Sequence, residues 1–200
     1  MSDPVEALRA GKPVVLPFDT VYGLAAEPYS ETSTRRLYEL KGRPEQQPSA
    51  LVAADLDCLF ECIPELRGRP ATQARQLLPG QLTLVLPNPA RRFRWLTGAN
   101  PGAIGVRVPA FTGPGRDVLD RMGAVVATSA NRPGEPDPRR LDEVPEEIRA
   151  GAGAVVDGGE LPGTPSTVVD LTGDEPRILR EGAVSAGEVL RRLQAPVRSS

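Results

Sequence analysis

Lys41 and Arg43 stand two residues apart in Tyr38-Glu39-Leu40-Lys41-Gly42-Arg43-Pro44, and Lys41 is one of only two lysines, the other being Lys12. Every other basic residue is arginine, so the chain keeps a compact ammonium here beside a planar guanidinium. That pairing suits a polyphosphate. Lysine offers a mobile point charge and arginine a rigid fork of donors, which together hold phosphate oxygens while charge builds on a leaving group. Such a role calls for accessible side chains, whose removal disturbs turnover and leaves stability alone. The same residues also suit an ordinary basic helix end, with Gly42 just past the last turn.

Small polar residues recur at the ends of apolar runs. Ala124-Val125-Val126-Ala127 leads into Thr128-Ser129-Ala130-Asn131, and Ser166-Thr167-Val168-Val169-Asp170 follows the glycine-rich stretch 157–163. Arg180 leaves Ile178-Leu179 just before Glu181-Gly182, and Arg107 alternates with Val106 and Val108. Open α/β sheets gather ligands at such strand ends. Each segment alone is equally an ordinary Ser/Asn turn or a solvent-facing arginine.

These residues need elements to place them. Asp3-Pro4 starts a helix over 4–10, Val14-Val15-Leu16 is a buried strand, and Ser30 caps a helix over 31–41. Further strands are expected at 50–53, 82–87, 103–108, 124–128, 154–157, 166–171 and 177–180. Helical patterns fall near 55–61, 70–77, 115–122, 141–150 and 185–194. The alternation predicts an α/β class, and 200 residues at 40% hydrophobic composition support a single domain over 1–200. Proline and glycine cluster at 97–115, 132–138 and 158–165, marking loops.

Composition narrows the chemistry further. The chain has no histidine, so imidazole is absent as general base or metal ligand. Cys58 and Cys62 are too few for a thiolate zinc site and read as packed thiols of a reducing compartment. Net charge is −2, which argues against a protein built to coat nucleic acid. No stretch approaches the ~18 apolar residues of a membrane span, so a cytoplasmic protein without membrane contact is expected.

Taken together, the segments resemble the YrdC-like threonylcarbamoyl-AMP synthase family from about 12 to 184. The carrying motifs are Pro17-Phe18-Asp19-Thr20-Val21-Tyr22-Gly23-Leu24, Lys41-Gly42-Arg43-Pro44, Pro79-Gly80-Gln81-Leu82-Thr83, Arg94-Trp95-Leu96-Thr97-Gly98, Val106-Arg107-Val108-Pro109, Thr128-Ser129-Ala130-Asn131, Ser166-Thr167-Val168-Val169-Asp170 and Leu179-Arg180-Glu181-Gly182. The resemblance implies an α/β fold with a twisted, mixed open sheet and helices around a large, electropositive concave cleft. It also implies a nucleotidyltransferase that makes threonylcarbamoyl-AMP and pyrophosphate from L-threonine, bicarbonate and ATP, with magnesium accompanying the ATP. The product would pass to a threonylcarbamoyltransferase complex that modifies tRNA.

By this resemblance Lys41, Arg43, Ser129 and Asn131 are the catalytic set. Lys41, Arg43, Thr83, Asn131, Ser166 and Arg180 would meet ATP, while Thr20, Tyr22, Arg107 and Ser129 would meet the amino acid; no protein metal site is expected. The chain departs from the family pattern at Phe18, usually threonine, at Phe111, usually histidine, at Gln81, usually proline, and at Pro133, usually serine. A phenyl ring for a hydroxyl in the amino-acid segment bears directly on discrimination. A paralogue making another carbamoyl adenylate therefore stands beside the main reading. An RNA-binding module is a third reading, because Ala90-Arg91-Arg92-Phe93-Arg94-Trp95 interleaves cations with aromatics, and a weak tRNA contact would reside there. A basic loop with Trp95 anchored in the core fits that segment equally.

Overall fold

The computed structural model of the chain describes residues 3–195. Its strands are β1 (Val14–Pro17), β2 (Tyr22–Ala26), β3 (Ala50–Ala53), β4 (Leu82–Pro87), β5 (Ala103–Arg107), β6 (Ala124–Ser129), β7 (Ala154–Val155), β8 (Thr167–Asp170) and β9 (Arg177–Arg180). They form a single mixed sheet in the order β7-β1-β2-β6-β3-β5-β4-β8-β9. The helices are α1 (Pro4–Arg9), α2 (Glu31–Lys41), α3 (Leu56–Cys62), α4 (Gly68–Leu77), α5 (Pro114–Met122), α6 (Glu146–Gly151) and α7 (Ala186–Gln194).

Local chemistry accounts for the helix ends. Asp3 accepts hydrogen bonds from the amides of Val5 and Glu6, and Ser30 and Ser185 cap α2 and α7 through their hydroxyls. Gly42 closes α2 in the left-handed conformation, with φ 67°, which places Lys41 in the last turn and turns Arg43 back toward the sheet.

The two faces of the sheet are covered unequally, and that inequality makes the cleft. One face carries Leu24, Leu51, Leu82, Leu84, Leu86, Ile104 and Val106, all buried, under α2, α3, α4, α6 and α7. Fully burying each such leucine contributes about 2 kcal/mol. The other face is covered only in part: α1 and α5 pack Val5, Leu8, Val118 and Leu119 onto Val14, Leu16, Ala25, Val52 and Val125. Beyond β3, this face presents small or polar residues, with Thr83 and Val85 on β4, Ala103 and Gly105 on β5, and Val168 on β8. The alternation in β4 sends Leu82, Leu84 and Leu86 into the core and the residues between them to the open side.

Two elements differ from the sequence expectation by more than a residue or two at an end. The segment 141–150 is not one helix: a 3₁₀ turn over Leu141–Glu143 is separated from α6 by Val144 and Pro145, because proline has no N–H to continue the ladder. Strand β2 has no counterpart among the predicted strands. It pairs with β1 as a hairpin and with β6 on its other side, and all five of its residues are buried, so it shows no alternation to read.

Candidate active site

The uncovered face and the loops above it enclose a cavity of about 440 Å³, within the range of small-molecule sites. Ala50, Ala103, Gly105 and Ala127 form its floor. Their small side chains leave the concavity open.

Of the ten sequence-derived site residues, the structure brings seven to this cavity: Thr20, Arg43, Thr83, Arg107, Ser129, Ser166 and Arg180. Thr83 on β4 and Ser166, the residue before β8, share a hydroxyl–hydroxyl bond of 2.8 Å. Arg180, one strand further out, donates to the Ser166 carbonyl at 2.8 Å and reaches its hydroxyl at 3.4 Å. On the opposite side, Arg43 donates to Thr128 Oγ1 at 2.7 Å and to the Pro48 carbonyl at 2.5 Å, while its Nε is buried without a partner. Burial lowers the pKa of this guanidinium.

Lys41, Asn131 and Tyr22 lie behind the wall rather than on it. Lys41 is 4% exposed, and its Nζ donates to the Ser129 carbonyl at 2.5 Å, the Asn131 carbonyl at 2.7 Å and Asn131 Oδ1 at 2.8 Å. All three ammonium protons are thereby used by protein acceptors. Asn131 Oδ1 also accepts from Ser129 Oγ at 2.6 Å, and Asn131 Nδ2 donates to the Glu135 carbonyl. The lysine thus clamps the turn that presents Ser129. The accessible Lys41 expected of a phosphate ligand is not what the structure shows. Tyr22 is fully buried, accepting from the Gly158 amide at 2.9 Å and sharing its one hydroxyl proton between the Gly159 carbonyl at 2.8 Å and Asp157 Oδ1 at 3.0 Å, which ties down the glycine-rich loop.

Burial and the neighbouring Arg43 push the Lys41 pKa from 10.5 down to about 8. The folded value lies below the unfolded one, so between about 8 and 10.5 the unfolded chain binds the extra proton. Folding stability contributed by this group should therefore rise with pH across that window and be flat on either side. Denaturant unfolding of the wild type and Lys41→Met at both ends of the window checks this: the wild type should gain on the variant toward the alkaline end, and parallel curves would contradict it.

Sequence reasoning missed several residues here. Asp19, 6% exposed, pairs with Arg107 at 2.7 Å, and the same guanidinium nitrogen reaches Thr20 Oγ1 at 3.4 Å. Burial raises the Asp19 pKa while Arg107 opposes it. Asp137 is the one carboxylate among the described residues lining the cavity, and it sits in a proline-rich loop with no periodic signal. Phe18, which the sequence did single out in the amino-acid segment, lines the cavity; its ring lies over Gly23, where a Cβ would come within 2.6 Å, and 6.0 Å from the Phe111 ring. The glycine is needed for that approach.

The Arg91–Trp95 segment has its aromatics turned inward. Phe93 is buried against Tyr29 and Trp95, the Trp95 indole N–H donates to the Pro28 carbonyl, and Arg92 forks onto Glu65 at 2.6 Å. Rings so engaged do not offer the free stacking faces of a single-strand RNA platform.

Comparison with known proteins follows the same lines. The Sua5/YciO/YrdC family, described as telomere recombination, matches residues 6–182. A threonylcarbamoyl-AMP synthase of Pyrococcus abyssi is 34% identical over 183 residues, covering 91% of this chain and 54% of its own length. The structure of P. abyssi Sua5 complexed with L-threonine superposes with a TM-score of 0.84 at 34% identity, covering 94% of this chain and 55% of that one. Escherichia coli YciO superposes at 0.76 with 26% identity, covering 92% and 90%. The chain spans about half the length of the archaeal relative. With a mixed α/β sheet of this topology and a family match over most of its length, the chain belongs to the Sua5/YciO/YrdC family.

Proposed function

We propose that the chain is a nucleotidyltransferase that forms L-threonylcarbamoyl-AMP and pyrophosphate from L-threonine, bicarbonate and ATP. The observation carrying this reading is the convergence of Arg43, Arg107 and Arg180 with Thr20, Thr83, Ser129 and Ser166 on one cavity, in a chain 34% identical to a relative solved with L-threonine. The activity needs charge and position more than a proton shuttle, which suits a chain without histidine.

The threonine amine attacks the carbon of bicarbonate or of the carbon dioxide in equilibrium with it, giving a carbamate; from bicarbonate, water leaves. A carbamate oxygen then attacks the α-phosphorus, and the bond to the bridging oxygen of the β-phosphate breaks as pyrophosphate departs. Arg43 and Arg180 hold phosphate oxygens from opposite sides of the cavity, and their fixed guanidiniums meet the charge that grows on the leaving group. Thr83 and Ser166 hold the adenylate. Ser129 orients the carbamate, and Lys41 acts by fixing the 129–131 turn. Arg107 and Thr20 take the amino-acid end. Magnesium would arrive with ATP and neutralise its phosphates; Asp137, a carboxylate lining the cavity, would help hold it, since magnesium takes one or two carboxylates beside substrate phosphates. The product would serve a cytoplasmic transferase complex acting on tRNA.

Pyrophosphate release, measured with ATP, bicarbonate and each common amino acid in turn, tests the reaction and its specificity together. Threonine-dependent release is expected. Release indifferent to every amino acid would contradict the reading.

A second reading, a paralogue for a more apolar amino acid, has one observation behind it: the Phe18 ring in the cavity wall. Phe18→Thr should raise the kcat/KM ratio of threonine over valine, because a hydrogen-bonding site discriminates a hydroxyl far better than an apolar one. It should also cost roughly 3 kcal/mol of stability, since the ring is 4% exposed and belongs to the core under α1 and α5. An unchanged ratio would mean that residue 18 does not touch the amino acid.

A further inference from the structure

The Arg107 guanidinium owes its place to a turn that it does not itself anchor. Residues 18–21 join β1 to β2 and carry both of its partners, the Asp19 carboxylate at 2.7 Å and the Thr20 hydroxyl at 3.4 Å. The turn is held by two backbone bonds, Phe18 N–H to the Val21 carbonyl and Gly163 N–H to the Thr20 carbonyl. Its side-chain tie comes from outside. Gln81 Nε2 donates to the Asp19 carbonyl at 2.9 Å, across 62 residues of sequence. Gln81 is itself fixed, because its carbonyl accepts from the Thr167 amide at 3.2 Å and the adjacent Gly80 amide donates to the Val108 carbonyl at 2.9 Å. Thr167 follows Ser166 and Val108 follows Arg107, so the glutamine stands where three parts of the cavity wall meet.

Asp19 Oδ2 and Arg107 Nε are both buried without partners. The pair is therefore held chiefly by the 2.7 Å Asp19–Arg107 contact, with backbone N–H groups of Asp19 and Ala110 beside the carboxylate and Thr20 Oγ1 at 3.4 Å from the guanidinium, so a rotation of the Asp19 backbone would carry the guanidinium with it. In a poorly solvated site, displacement of a charged group by about 1 Å can cost orders of magnitude in function.

We infer that Gln81 is a positioning residue: it fixes the Asp19–Thr20 turn through the Asp19 carbonyl, and so aims the Arg107 guanidinium and Thr20 hydroxyl at an amino-acid carboxylate and side chain. The inference rests on the proposed amino-acid end of the cavity. Gln81 touches no substrate in this account. Its effect passes through Asp19.

The test uses the full chain and two substitutions. Gln81→Leu keeps bulk and removes the donor; Gln81→Glu keeps shape and sets a carboxylate against the Asp19 carbonyl. Both should raise KM for L-threonine on the order of 10-fold and leave kcat and KM for ATP within about 2-fold. Threonine binding by calorimetry supplies a signature that a structural role would not produce. For Gln81→Glu, affinity relative to the wild type at the same pH should recover as the pH falls toward about 5, because a carboxyl set against the Asp19 carbonyl titrates above its ordinary value of about 4.3 and its protonated form again donates, while Gln81→Leu should show no recovery; the wild type measured alongside carries the titration of Asp19, whose pKa burial raises. Wild-type threonine binding with both variants unchanged would overturn the inference alone, as would equal losses in kcat, both KM values and thermal stability. A wild type that binds no amino acid would overturn the amino-acid reading of the cavity, and this inference with it.

Discussion

Arg43→Ala should lower adenylate formation by roughly 10²-fold or more while the fold stands, because preorganised charge at a phosphoryl-transfer site acts most strongly on the transition state. Arg43 is half-buried at the cavity wall, and its two hydrogen bonds reach a hydroxyl and a carbonyl rather than a carboxylate. Its positive charge is therefore not cancelled by an acidic partner. Lys41→Ala should lower turnover as far, by a different route. Its ammonium holds the Ser129 and Asn131 carbonyls and Asn131 Oδ1, and removing it leaves buried acceptors unmet at about 1–3 kcal/mol each. Lys41→Ala should therefore also lower Tm by several degrees, at about 2–4 °C per kcal/mol for a chain of this size. Steady-state kinetics with thermal unfolding separates the two: Arg43→Ala loses rate with Tm nearly unchanged, and Lys41→Ala loses both. Near-normal turnover in either variant would contradict its assignment.

Gly105→Val should sharply lower substrate use without unfolding the chain. Gly105 lies in the middle of β5, opposite Ala50 on β3 and Val85 on β4, on the uncovered face. Its φ is not positive, and a Cβ there meets nothing nearer than the Ser49 carbonyl oxygen at 3.7 Å and Thr83 Cγ2 at 3.9 Å, which is ordinary contact. Valine suits a strand, so stability should hold or rise slightly. Its two methyl groups would stand up from the cavity floor where the substrates must lie. The expected result is a fall in kcat/KM of about 10²-fold or more at unchanged Tm. Full activity in Gly105→Val would move the reacting groups off this face of the sheet.

What the sequence made legible was what short-range chemistry determines. Helix α2 and strands β3, β4 and β9 have the expected bounds, because a serine cap and terminal glycine for α2, period-two alternation in β4 and short apolar runs in β3 and β9 act within a few residues. Strand β2 escaped because Tyr22-Gly23-Leu24-Ala25-Ala26 owes its extension to pairing with β1 and β6 on either side. The site divides similarly. Strand ends carrying Ser129, Ser166, Arg107 and Arg180 could be marked as ligand positions, and Thr83 through the family resemblance. The Lys41–Asn131 clamp spans 90 residues, and the Asp19–Arg107 and Gln81–Asp19 contacts span 88 and 62, with no local pattern to announce them. The sequence could name Lys41 but not show which way its ammonium points.

Identification of the product tests the account most directly. Wild-type protein incubated with ATP, L-threonine and isotopically labelled bicarbonate, then analysed by mass spectrometry, should yield threonylcarbamoyl-AMP carrying the label on its carbamoyl carbon, with pyrophosphate in equal amount. ATP consumption giving only unlabelled AMP or ADP, or an adenylate formed without bicarbonate, would contradict it.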